Sequence, residues 1–210
     1  MIEHLLCSFV LIILSSSSYA LDPTEFQKIL GLDIKDLRSA FGDFVQATKL
    51  LGESKQMDTS DAANYEGRVE YILKDLSQSI GFTIGECHEG YSVELAKGRR
   101  KPNYALLNAS IKTISAGGVR LGMDKREAEK LFAGVVSGGW TIESDPRNPA
   151  IPRLLSFDKK VYAYRKTVIA KDGSRFCDHI WITLIFDADS KLTSFDVLSG
   201  GCDDSPCEDM

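Results

Sequence analysis

From residue 179 to residue 186 the chain alternates. Ile180, Ile182, Leu184 and Phe186 fall on one parity, and His179, Trp181, Thr183 and Ile185 on the other. Period two over this length is a strand with one buried face, because successive side chains point to opposite sides of a sheet. The next apolar stretch answers it. Phe195 and Val197 alternate with Ser194 and Asp196, and Asp187-Ala188-Asp189-Ser190 between the two runs reads as a hairpin turn. Pairing Ile182 with Phe195 and Ile180 with Val197 keeps one face apolar, and sets Trp181 opposite Asp196 and Thr183 opposite Ser194. A one-residue slip would put Asp196 opposite Ile182, so the pattern excludes it. The other face is expected to carry His179, Trp181, Thr183 and Asp196, joined by Tyr162 and Tyr164 from the neighbouring strand. Aromatics with polar handles suit a binding surface; ordinary cross-strand aromatic packing would use the same residues.

The helical signal lies upstream, in the stretch GGVRLGMDKREAEKLFAG at 117–134. Asp124 stands as an N-cap with Glu127 three residues on, a spacing that satisfies orphan amides and complements the helix dipole. Ala128, Leu131, Phe132 and Val135 then recur as one apolar helix face, and Gly134 is the expected stop. Leu30-Gly31-Leu32-Asp33 matches Leu121-Gly122-Met123-Asp124, with Asp33 as cap and Leu37, Phe41 and Phe44 as the apolar face. Val69 and Tyr71 echo Val161 and Tyr162, and Cys87 echoes Cys177. A unit of roughly 90 residues, present twice, accounts for these matches. The expected class is α+β: two tandem helix-plus-antiparallel-sheet repeats, with the helices packed on one face of the sheets. The expected divisions are a signal peptide over 1–20, a first repeat over 21–115, a second over 116–200 and an acidic tail over 201–210. Strands are expected near 69–74, 81–86, 91–96 and 104–112 in the first repeat. In the second they are expected near 140–143, 160–169, 176–186 and 192–198.

The segment RLGMDKREAEKLF resembles the helix start of the superfamily that contains the β-lactamase inhibitor protein and the BamE/SmpA outer-membrane assembly lipoproteins. The close match covers about 13 residues, twice, and a looser helix-then-strands match covers most of the mature chain. The resemblance implies a fold with a short amphipathic helix followed by antiparallel strands and points to no particular activity. The sequence departs from the lipoproteins in having no lipobox cysteine before the mature start, and no functional residue carries over.

The first 20 residues hold an apolar run followed by small residues and Ser18-Tyr19-Ala20, the pattern of a secretory signal peptide cleaved after Ala20. The run is too short for a bilayer span, which takes about 20 apolar residues. Removal of the leader leaves 190 residues with four cysteines and a net charge of −4. No basic patch marks nucleic acid as a partner. In an exported chain the cysteines are expected as disulfides. The register above sets Cys177 opposite Gly200, so Cys202 is its diagonal neighbour and Cys177–Cys202 the first choice, leaving Cys87–Cys207. Four cysteines still permit three connectivities.

Motifs for catalysis are weak. Cys87-His88 and Cys177-Asp178-His179 lack the paired C-x-x-C of a zinc site, so no metal and no cofactor is expected. Ser156-Phe157-Asp158-Lys159 fits S-x-x-K, but lies between strands without the companion motifs of serine penicillin-recognising enzymes. Asn108-Ala109-Ser110 is a glycosylation sequon, which matters only in a eukaryotic secretory pathway. The expected function is that of an exported, periplasmic or secreted module with no enzyme activity. It would block an envelope or secreted enzyme or toxin, as inhibitors and immunity proteins do, with no membrane anchor after cleavage. The alternatives are a structural envelope-assembly component of BamE-like type, and a hydrolase using Ser156 with Lys159 or His179 with Asp196.

Overall fold

The computed structural model describes residues 20–42, 44–53, 67–85, 88–96, 98, 103–142 and 158–200. Asp22 caps a 3-10 turn at Pro23–Gln27 by accepting from the Thr24 amide at 3.0 Å. A tight hairpin then joins β1 (Lys28–Ile29) to β2 (Leu32–Asp33). A second 3-10 turn, Ile34–Asp36, leads into α1 (Leu37–Gly42) and α2 (Phe44–Leu51). Next, β3 (Gly67–Ile72), β4 (Gln78–Ile84) and β5 (His88–Leu95) form an antiparallel meander, and β6 (Ala105–Leu106) lies parallel to β3. The chain continues with the hairpin β7 (Ser115–Ala116) and β8 (Val119–Arg120), then α3 (Lys125–Leu131) and β9 (Thr141–Ile142). It ends in the meander β10 (Asp158–Ile169), β11 (Arg175–Phe186) and β12 (Leu192–Gly200).

The two meanders do not build two sheets. β12 pairs antiparallel with β5 from Ser194↔Glu94 to Gly200↔His88, which fuses both into one eight-stranded mixed sheet of order β6-β3-β4-β5-β12-β11-β10-β9. The described chain is mostly strand, with only three short α-helices. This overturns the expected α+β class of two helix-plus-sheet repeats. The cause is the free edge of each meander: the last strand of one is satisfied by the last strand of the other, so the backbone donors and acceptors of both are paired.

Register fixes the faces. Val69, Tyr71, Ile80, Phe82, Tyr91, Val93, Val197, Phe195, Ile182 and Leu184 are cross-strand neighbours in register and are all buried. The described helices cover this face. Phe41 of α1 meets Phe82 at 5.3 Å, and Ala128 of α3 is fully buried. An aromatic run ties distant parts of the chain. Phe26 stacks on Phe132 at 5.5 Å, Phe132 stacks on Tyr162 at 4.0 Å, and Tyr91 donates its hydroxyl to the Phe26 carbonyl at 2.8 Å. Such ring pairs add about 0.5–1.5 kcal/mol beyond their burial. Phe26 can seat here because Gly117, at φ 54, has no side chain: a Cβ would lie 2.5 Å from its ring. The N-terminal segment therefore packs into the second half of the chain, where Leu21 also bridges Val136 and Gln27 donates to Ser199 at 3.1 Å.

Three local expectations change. α3 ends at Leu131, short of Gly134, so Val135 lies beyond the helix and is exposed. Its carbonyl accepts from the Leu21 amide at 2.8 Å, an inter-segment bond that helix continuation would forfeit. Asp124 holds the N-cap position without a side-chain cap bond. The Lys125 amide donates instead to the Ser190 carbonyl, and Asp124 receives Lys191 Nζ at 2.9 Å. The strand expected over 104–112 shrinks to Ala105–Leu106, because Asn108 Oδ1 accepts from the Ser110 amide and folds the chain into a turn.

Candidate functional site

The second face of the sheet is the candidate site. On β11 it carries His179, Trp181, Thr183 and Ile185, opposite Gly200, Leu198, Asp196 and Ser194 of β12. β5 continues it with Gly90, Ser92 and Glu94, and β3 and β4 with Arg68, Glu70, Gly81 and Thr83. On β10 the same face shows Lys159, Val161, Ala163 and Arg165. The observed β11–β12 register is displaced by two residues from the expected one: Ile182 meets Val197, Thr183 meets Asp196 and Trp181 meets Leu198. A two-residue displacement changes partners and preserves faces. Trp181, His179, Thr183 and Asp196 accordingly share one side, as the alternation predicts.

Tyr162 and Tyr164 do not join them. They pair with Ile182 and Ile180 and therefore lie on the core face, Tyr164 fully buried and Tyr162 stacked on Phe132. Burial pushes the hydroxyls of both up from the ordinary phenol value, with Glu129 adding to the effect at Tyr162 and Tyr162 adding to it at Tyr164. The tyrosines leave the binding-face set, and Val161, Ala163 and Arg165 take the positions expected of them.

At one end of the face the His179 and Trp181 rings stack at 5.1 Å with only 6° between planes, as same-side neighbours two residues apart on one strand can. Beside them Arg165 Nε lies 3.2 Å from the sulfur of Cys177, which is disulfide-bonded. Cys87, Cys202 and Cys207 lie outside the described residues, as do Ser156 and the tail. Towards the sheet centre, Arg68 reaches from β3 across β4 to donate to Ser92 Oγ on β5 at 2.6 Å, and its Nε bonds Glu70 at 3.0 Å. The reach needs Gly81 beneath it, since a Cβ there would fall 2.5 Å from the guanidinium.

Asp196 sits between these groups. Burial is the main reason its carboxyl is pushed up to about 6, and the nearby Glu94 charge adds to that, while Arg68 and Lys159 pull the other way. Arg68, Ser92, Glu94 and Gly81 escape a motif search. Their signal is the alternation of β5, where Tyr91 and Val93 mark the core parity and leave Gly90, Ser92 and Glu94 on the other. The arrangement suits polar recognition better than proton transfer. His179 and the Asp196 partner Thr183 are four residues apart on β11, roughly 13 Å by strand rise, so His179 and Asp196 cannot share a proton directly. No family model, curated protein or solved structure matches this chain.

Proposed function

We propose that this protein is an exported protein-binding module of the inhibitor or immunity type. It would use the second sheet face to block a secreted or periplasmic enzyme or toxin. One observation carries the reading: the described helices all lie on the core face, while the other face presents the stacked Trp181–His179 pair beside the desolvated carboxylate of Asp196. A flat aromatic pair with polar neighbours supplies the buried anchor and polar surround of a protein interface. The bonded state of Cys177 accords with an oxidising compartment.

The test is capture with the mature protein as bait, followed by affinity measurement on whatever enzyme or toxin is enriched. Truncating an aromatic anchor costs about 2 kcal/mol or more, so Trp181→Ala should weaken binding by about 30-fold or more without a matching loss of folding stability. Ile182→Ala should do the reverse and cost about 2–5 kcal/mol of stability. A Trp181→Ala variant that unfolds as readily as Ile182→Ala would place Trp181 in the core and remove the proposal.

A further inference from the structure

Three side chains on this face run diagonally across three strands. Trp181 on β11, Asp196 on β12 and Glu94 on β5 are successive diagonal neighbours: Trp181 pairs with Leu198, Asp196 with Thr183 and Ser92, and Glu94 with Ser194. Diagonal neighbours lie about 7–8 Å apart, within reach of one bound group seated between them. Glu94 is exposed, and Trp181, Asp196 and Leu198 are partly so. Asp196 and Glu94 make no ion pair among the described residues, whereas the neighbouring Arg68 is engaged by Glu70 and Ser92. Gly90, level with Leu198 and Trp181, is buried beneath the Leu198 side chain. The face thus offers two carboxylates that form no ion pair among the described residues, with Arg68 and Lys159 near enough to act on Asp196, and an indole beside them, an arrangement that can receive a cationic side chain.

We infer that the face receives an arginine or lysine side chain of the partner protein, seated over Asp196 between the Trp181 indole and the Glu94 carboxylate. This rests on the protein-binding reading and specifies the partner: a protein that presents a basic residue from a protruding loop. Arginine suits the site better than lysine, because its planar guanidinium can stack on an indole and bond a carboxylate at once. The charges facing Asp196 are Glu94 from β5, Arg68 from β3 and Lys159 from β10. Binding a cation requires the ionised carboxylate, so the interaction weakens as pH falls through about 6, where Asp196 takes up its proton.

The experiment titrates the oxidised, isotope-labelled protein with N-acetyl-arginine amide, and with the citrulline analogue of the same shape and no charge, at constant ionic strength. Amide shifts are followed by NMR. The arginine compound should move Ser92, Glu94, Thr183, Asp196 and the Trp181 indole in a saturable way. The citrulline compound should bind at least about tenfold more weakly, as a charge-assisted contact requires. Lowering the pH from 7.5 to 5 should weaken the arginine titration, and the Asp196→Asn/Glu94→Gln double variant should abolish it. Equal response to both compounds, shifts centred elsewhere, or a double variant that binds as the parent does would overturn the inference. A captured protein that depends on Trp181 but is indifferent to the double substitution would also overturn it, and would leave the protein-binding reading standing.

Discussion

Replacing Asp196 by Asn should make the protein more stable. The carboxyl sits at about 6 in the folded chain against an ordinary 3.8, chiefly through burial. A raised value means that the folded state favours the protonated form. Well below pH 3.8 the group is protonated in both folded and unfolded chains and costs nothing. Between about 4 and 6 the unfolded chain releases the proton and the folded chain holds it, so stability falls as pH rises. Above 6 the loss is complete. At 1.36 kcal/mol for each pH unit of displacement, the full penalty is about 2–3 kcal/mol. Asn has the same shape and carries no charge, so the variant avoids it. Urea unfolding at about pH 2.5, 5, 6 and 7.5 should show parent and variant equal at the acid end and the variant about 2–3 kcal/mol more stable at pH 7.5. Glu89 is also raised, by burial against the opposing pull of Arg38. It is present in both proteins and cancels in the difference. Parallel pH profiles, or an Asn variant that is less stable at pH 7.5, would show that Asp196 is not desolvated and would refute the reasoning. Confirmation would mean that the face retains a charge at the expense of stability, as sites kept for binding do.

Gly90→Ala should cost more than about 1–3 kcal/mol, because its Cβ would lie 2.3 Å from the Val197 carbonyl and only backbone movement could relieve it; chemical denaturation reads the loss. Asp33→Ala should cost about 0.5–1 kcal/mol, since Asp33 Oδ1 accepts from the Lys35 amide at 3.0 Å. Asp124→Ala should cost less, up to about 0.5 kcal/mol, because it loses only an exposed pairing with Lys191; the same denaturation series distinguishes them. Tyr162→Ala should destabilise by about 3 kcal/mol or more, as a residue stacked in the core does, and a loss below about 1 kcal/mol would return it to the binding face. Non-reducing peptide mapping should join Cys177 to Cys202. Cys177 is disulfide-bonded, the β11–β12 register ends at His179↔Gly200, and Cys202 is the next cysteine in the sequence; a Cys177–Cys87 peptide would contradict that.

The faces of β11 and β12 are legible in the sequence because Ile180, Ile182, Leu184, Phe195 and Val197 recur on one parity, and that face is apolar apart from Ser199. Their partners are not, because any even displacement preserves the faces. β10 is ambiguous for a related reason. Val161, Tyr162, Ala163 and Tyr164 offer an apolar or amphipathic residue on both parities, and tyrosine is at home on either side. The tyrosines fall on the core face through their pairing with Ile182 and Ile180, which no local pattern announces. The capping reading found the start of α3 and mistook its bond, since Ser190, a residue of the β11–β12 turn, supplies the acceptor. The single sheet is the largest feature missing from the sequence reading. Recurrence of a unit describes what each half contains and is silent on whether the halves close separately or together.

That closure orders events in time. β5 ends near residue 95 and its partner β12 begins at Leu192, so one margin of the first meander stays open until nearly the whole chain has been delivered. The N-terminal segment likewise waits for Val136 and Phe132. Pairings so distant along the chain form late, after the entropy of closing a long loop has been met. A chain made from its N-terminus onward therefore shows a ribbon bearing Tyr91 and Val93, apolar on one side and unpaired along its rim, for as long as β12 is withheld. A copy lacking β12 keeps that rim unpaired, and an unpaired apolar rim favours aggregation.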